Sequence, residues 1–320
     1  MLAKRFRLLL VSLISLLLAG SALLASGMPA NAATAPPPRG DSVDEPLYLI
    51  HGFDNSVVPR KLGNGWTCEG YVDNDGNWRR GYWDEAQGAL RSWGWTGEIR
   101  TYGYYSSNEN CDLEYVERNP EMPPGGDRDT PLTELARFLA HDIYAKYSSQ
   151  GKSVDVLAHS MGGLIIQSAL TEVSKGNPDF PPYLYVEDVV TLSSPHGGTN
   201  WGYVCNNYFI RFGQCDEMKP NSDFLANQIK NPQSAQQTDW TTVGSERDPV
   251  VRSGSATSMP VDHKVVYKPE AAINHISIFT ETSGSFPMRF LNTPDTQWQH
   301  ANGAAPIRVA SNALYWHRAW

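Results

Sequence analysis

The strongest chemical signal in the chain is the stretch Val154-Asp155-Val156-Leu157-Ala158-His159-Ser160-Met161-Gly162-Gly163. It begins as a strand, passes through small-x-Ser-x-Gly, and opens a helical pattern carried by Leu164, Ile165, Ile166, Ala169 and Val173. A serine on a sharp turn between strand and helix faces substrate at the positive end of the helix dipole. Such a turn leaves little room, so the positions two before and two after the serine must be small, as Ala158 and Gly162 are. A bare five-residue match would also suit any glycine-containing turn. The strand before, the helix after and the two glycines favour Ser160 as a nucleophile.

A serine hydroxyl needs a general base, and the base needs an acid to orient it. After a turn of this kind, the acid and then the histidine come from loops that follow later strands. Asp248 follows the strand-like Trp240-Thr241-Thr242-Val243, and His275 follows the strand-like run from Lys264 to Tyr267. Glu246 is the rival acid. Asp248 is preferred because Asp248-Pro249-Val250-Val251 reads as a polar tip with a buried anchor behind it. Among the other histidines, His196 follows the wrong strand, His263 precedes the last one, His141 is mid-helix, and His300 and His317 are in the tail. His159 sits in the turn itself, and His51 ends the apolar run Leu47-Tyr48-Leu49-Ile50. The loop His51-Gly52-Phe53 should offer the N–H of Phe53 to a developing oxyanion, with the N–H of Met161 as the second donor. No metal and no cofactor is called for.

The elements that must position these groups alternate. Apolar runs at 47–50, 98–105, 153–158, 186–192, 240–243 and 264–267 read as strands. Helical patterns cover about 82–93, 131–147 and 161–175, with Thr130 as N-cap and Pro131 as first helical residue of the second. This alternation implies an α/β fold with a mostly parallel sheet and helices on both faces. Residues 54–80 and 106–128 read as long loops. Trp66, Trp78, Trp83, Trp93 and Trp95 cluster around the first, more in keeping with packing than with a substrate cleft.

Lys4, Arg5 and Arg7, an apolar run to about Leu24 and the triplet Ala30-Asn31-Ala32 form a signal-peptide pattern over residues 1–32. The expected product is a secreted chain, 33–320, in one domain. Its loss of three basic residues leaves 23 basic against 34 acidic. With no basic block, nucleic acid is not an expected partner. Cys68, Cys111, Cys205 and Cys215 form an even set, for which disulfides are the default in an exported chain. Pairing Cys68 with Cys111 and Cys205 with Cys215 closes segments within one region each; the two other pairings would join the regions.

With these residues assembled, the chain resembles the bacterial lipases and esterases of the α/β-hydrolase fold, close to the small, short-lid groups of Gram-positive bacteria. The resemblance rests on Leu49-Ile50-His51-Gly52-Phe53, Ala158-His159-Ser160-Met161-Gly162-Gly163 and Thr191-Leu192-Ser193-Ser194-Pro195-His196-Gly197-Gly198-Thr199, with a softer match over 214–225. It covers about residues 46–280. It implies a minimal core of about six strands, with 281–320 as a C-terminal extension, and a carboxylic-ester hydrolase acting on lipid or other acyl esters. The expected partner is an acyl-ester or lipid substrate with at most transient contact at a lipid interface, and no stable protein partner. An acyltransferase would use the same Ser160, Asp248 and His275, and a non-catalytic hydrolase fold is the reading from a different class.

Overall fold

A computed structural model of the chain describes residues 35–53, 67–116, 126–205 and 212–315. The leader expected over 1–32, the loop tryptophan Trp66 and the tail histidine His317 lie outside the described residues. In chain order the elements are β1 (Leu47–Ile50), β2 (Tyr71–Val72), β3 (Trp78–Arg79), α1 (Asp84–Ser92), β4 (Ile99–Gly103), β5 (Leu113–Glu114), α2 (Leu132–Lys146), β6 (Val154–His159), α3 (Met161–Ser174) and β7 (Val186–Leu192). There follow α4 (Trp201–Val204), α5 (Gly213–Glu217), α6 (Asp223–Asn227), β8 (Asp239–Ser245), α7 (Ser253–Ala256), β9 (His263–Tyr267), α8 (Ser277–Thr280), β10 (Ser285–Asn292), β11 (Gln299–Ala304) and α9 (Pro306–Tyr315).

One sheet runs β11-β10-β9-β8-β7-β6-β1-β4-β5. From β5 to β9 every pairing is parallel, and β10 and β11 close one edge as an antiparallel pair. The sheet is therefore the mostly parallel α/β sheet expected, with nine strands among the described residues instead of about six. Period-two alternation divides each central strand between two cores. Tyr48 and Ile50 of β1, with Val154, Val156 and Ala158 of β6, face α2 and α3. Leu47, Leu49 and Leu157 face the opposite layer, built from α1, α8 and α9. Both faces are thus covered, which is why β1 and β6 are buried at every residue.

Two expectations need correcting. The segment 281–320, read as an extension beyond the core, supplies β10, β11 and α9. Met288, Ile307, Val309, Ala310 and Leu314 are buried in the second core. That layer would lose its lid over β6 and β7 without α9. The second correction is small: α2 begins at Leu132 and has no side-chain cap from its own N-terminal residues. Thr130 Oγ1 instead accepts from the N–H of Asp127. The orphan N–H of Leu132 donates to the Glu217 carboxylate at 2.9 Å, a cap from a distant segment that a local pattern cannot reveal. Burial pushes Glu217 up to about 7, against the pull of that hydrogen bond.

Candidate active site

The parallel strands deliver their C-terminal ends to one edge of the sheet, and every candidate catalytic group leaves from that edge. Ser160 joins β6 to α3 at φ 53 and ψ −127, a left-handed-side conformation that a side chain rarely adopts. The neighbouring glycines explain how the turn is held. A Cβ on Gly162 would stand 2.5 Å from the carbonyl oxygens of both Ile50 and His51, and one on Gly163 would run into Ser194 Oγ. On the other side, a Cβ on Gly52 would lie 2.8 Å from the Cβ of Ser160. The end of β1 and the serine turn therefore pack backbone against backbone.

His275 sits between β9 and α8. The Asn274 carboxamide oxygen accepts from the N–H groups of Ile276 and Ser277 at 2.8 and 3.0 Å, which fixes the turn that presents it. Its Nε2 lies 3.1 Å from Ser160 Oγ and its Nδ1 2.8 Å from Asp248 Oδ2. A carboxylate only accepts, so Nδ1 carries the hydrogen and Nε2 is left to accept from the serine hydroxyl. The other oxygen of Asp248 accepts from the N–H groups of Val250 and Val251 at 2.7 and 3.0 Å. Burial works to raise the Asp248 carboxyl, but the hydrogen bond and charge of His275, with the donors around it, hold it below the ordinary carboxylate value. Asp248 thus stays ionised across the neutral range.

The rival acid points elsewhere. Glu246 pairs with Arg289 of β10 at 3.0 Å, each side chain about one-third exposed. Of the remaining histidines, His196 is buried between Thr191 and Gln167, and burial, with Lys230, pushes it down to about 3. Burial and the nearby His275 push His159 well below the ordinary value. His159 receives Tyr82 as its Nδ1 partner. His263 lies against Asp239 and Asn292 at the far end of the sheet, and His141 reaches the carbonyl of Asp179 from an exposed helix face. Sequence reasoning gave no role to Tyr82, Tyr104 or Asn108, which surround the loop at Gly52: Tyr82 reads as the start of a helix, Tyr104 as part of a strand and Asn108 as loop, and nothing in the pattern joins them.

Met161 opens α3, and its N–H is one of the first four that the helix leaves unbonded. Phe53 lines, with Ser160, His275, Tyr82 and Trp201, a cavity of about 540 Å³. An apolar recess of about 100 Å³ adjoins it, walled by Pro195, Met218, Val251 and Cys205. A third cavity, about 610 Å³, lies behind the acid loop and touches neither Ser160 nor His275. Cys205 is bonded to Cys215, and Cys68 to Cys111, the pairing within regions. Of the tryptophans near the first loop, Trp83 and Trp95 are buried as packing groups while Trp78 is exposed. Among the described residues, the acidic group with metal-ligand spacing is Asp41, Glu187 and Asp188, and Arg39 already lies 2.7 Å from Asp188 there. No described helix is long and apolar enough to cross a membrane.

Residues 133–266 match the family described as "PGAP1-like alpha/beta domain", a span that includes Ser160 and Asp248 and stops short of His275. No curated protein sequence matches the chain. Among solved structures the chain is similar to Bacillus licheniformis lipase BlEst2 in propeptide form, at 18% identity and TM-score 0.42, over 76% of this chain and 49% of that one. It is also similar to Aspergillus fumigatus lipase B, at 14% identity and TM-score 0.43, over 74% and 50% of the two chains. A third similarity is to the gene lin2722 products of Listeria innocua, at 15% identity and TM-score 0.38, over 74% and 88%. The match thus spans about half the length of the first two of these proteins. The parallel sheet covered on both faces, with a strand-turn-helix at Ser160, is an α/β architecture.

Proposed function

We propose that this chain is a secreted carboxylic-ester hydrolase that works through a Ser160 acyl-enzyme, with residues 33–320 acting as one catalytic domain after removal of the leader. The observation that carries the reading is the unbroken hydrogen-bond series Asp248–His275–Ser160, at 2.8 and 3.1 Å, on a turn with φ 53. His275 Nε2 takes the serine proton as Oγ attacks the ester carbonyl. The oxyanion is received by the N–H groups of Met161 and Phe53. Asp248, buried and ionised, stabilises the imidazolium, which then gives its proton to the leaving alcohol. Water repeats the sequence on the acyl-enzyme. No step requires a metal. The acyl chain fits the apolar recess beside Ser160, and the wider cavity, lined by both Ile276 and Arg247, takes the alcohol portion.

A series of p-nitrophenyl esters of increasing acyl length, followed by emulsified triglyceride, tests this. Hydrolysis abolished by Ser160→Ala and by His275→Ala, with the double variant little worse, is expected of groups that act as a unit. Activity that survives Ser160→Ala, or that a chelator removes while the fold stays intact, overturns the reading. Acyl transfer to an added alcohol in preference to water would make it an acyltransferase.

A further inference from the structure

The loop that is to hold the oxyanion needs its Phe53 N–H aimed at the reacting carbonyl, and a loop after a strand does not hold such an aim unaided. Here the carbonyl at the other end of the same peptide is clamped. Gly52 O accepts from His51 Nδ1 at 2.7 Å, and the Tyr104 hydroxyl, whose one hydrogen goes chiefly to His51 O at 2.5 Å, is shared with Gly52 O at 3.0 Å. The Gly52–Phe53 peptide is trans, so its N–H points opposite to its C=O. Fixing the oxygen toward Tyr104 and His51 therefore fixes the Phe53 N–H away from them. The preceding N–H, that of Gly52, is engaged by the Tyr82 hydroxyl at 3.2 Å, which leaves Phe53 as the next donor along the loop.

The clamp is itself braced. His51 stacks on the Tyr104 ring, centroids 4.0 Å apart; with Nδ1 as the donor, its Nε2 brings no hydrogen to Asn108 Oδ1, 3.0 Å away, so Asn108 braces the clamp through the Tyr104 backbone. The same oxygen accepts from the N–H groups of Tyr104 and Tyr105 at 2.9 and 2.8 Å. Asn108 is three residues before Cys111, whose bond to Cys68 closes the segment, and Cys68 N–H donates to Glu109 O at 2.9 Å. His51, Tyr104 and Asn108 are all buried, so the arrangement is set before substrate enters.

We infer that Tyr104 and His51, braced by Asn108, are positioning residues for the oxyanion hole: they hold the Gly52 carbonyl so that the Phe53 N–H is preset for the tetrahedral intermediate. The inference rests on the proposed ester hydrolysis through Ser160 and adds to it which groups prepare the donor. Tyr104→Phe removes the hydroxyl and keeps the ring that stacks on His51. Loss of a whole oxyanion donor costs roughly 100- to 1,000-fold in kcat, so a misaimed one should cost about 10- to 100-fold. The expected result is that fall in kcat with KM within about twofold, and an equal loss of affinity for phenylboronic acid, which mimics the tetrahedral state on the serine. The pH midpoint of the rate should not move, because the His275–Asp248 pair is untouched. A fallback pair covers poor folding of Tyr104→Phe: His51→Asn keeps a donor near the Nδ1 position and should retain several-fold more kcat than His51→Ala. Ser160→Ala serves as the control for the underlying reading. If it is inactive while Tyr104→Phe keeps both kcat and boronate affinity, or His51→Asn is no better than His51→Ala, the positioning role falls and the hydrolase reading stands. Activity retained by Ser160→Ala would remove the reading and the inference together.

Discussion

Replacing each candidate acid by its amide separates the two carboxylates that the sequence leaves in competition. In Asp248→Asn, Oδ1 can still accept from Val250 and Val251, so the loop keeps its anchor. The new NH₂ then faces His275 Nδ1 at the 2.8 Å position and donates to it. That forces the imidazole hydrogen onto Nε2, which lies 3.1 Å from Ser160 Oγ, and a nitrogen bearing hydrogen cannot take the serine proton. The rate should fall by about 10³- to 10⁴-fold, or roughly 4–5.5 kcal/mol of activation free energy, with the fold retained. Glu246→Gln disturbs only the one-third-exposed pair with Arg289, worth about 1 kcal/mol or less of stability, and kcat should stay within about twofold of wild type. Steady-state kinetics on a p-nitrophenyl ester, alongside thermal unfolding of each variant, makes the comparison. A folded Asp248→Asn enzyme with a tenth of wild-type kcat, or a Glu246→Gln enzyme that is the more damaged, would refute the assignment.

Three further outcomes follow from other parts of the molecule. Gly162→Ala forces a Cβ to within 2.5 Å of two backbone oxygens and should cost about 1–3 kcal/mol in stability together with most of the activity, whereas Gly88→Ala, with open space around it, should be neutral or stabilising; equal behaviour of the two in unfolding and kinetic assays would contradict the packing argument. Burial, with the Glu187 and Asp44 carboxylates, pushes Glu45 up from 4.5 to about 8. The folded chain therefore holds that proton more tightly, so its stabilising effect is complete below about pH 4.5, falls as pH rises and is gone above about 8. Glu45→Gln should flatten that slope in melting temperature between pH 4.5 and 8, and parallel profiles for variant and wild type would rule the effect out. Replacing Cys205 and Cys215 together by serine opens a ten-residue closure and should cost about 2–3 kcal/mol. Because Cys205 walls the recess beside Ser160, the ratio of rates on short and long acyl esters should shift as well; an unchanged ratio would separate the disulfide from substrate choice.

The parts of the site that were legible in the sequence are those constrained by sterics close along the chain. Ala158, Gly162 and Gly163 mark the serine turn because neighbouring backbone leaves no space for larger side chains, and the loops after β8 and β9 follow apolar runs that are hard to mistake. The local pattern favours Asp248 over Glu246 but does not show where Glu246 goes, since what turns it aside is Arg289, more than forty residues away on a strand the sequence did not disclose. Phe286, Met288 and Phe290 do alternate along β10, but β11 reads Gln-His-Ala-Asn-Gly-Ala and is mostly exposed, so composition marks it as a loop. Helix α9 begins with Pro306 and spaces Ile307, Ala310, Ala313 and Leu314 along one face, so here the sequence does carry a helical signal. The helix cap from Glu217 and the bracing of Gly52 by Tyr104, His51 and Asn108 join segments far apart in sequence, and single polar residues announce no such pairing.

In the proposed mechanism Ser160 is the nucleophile and His275 its base. Intact-mass measurement after exposure to a fluorophosphonate probe, with peptide mapping of the product, tests it most directly. One covalent adduct is expected, on Ser160, absent in Ser160→Ala and formed at least about 100-fold more slowly in His275→Ala. A folded wild-type protein left unmodified, or a Ser160→Ala variant labelled as fast as wild type, would contradict it.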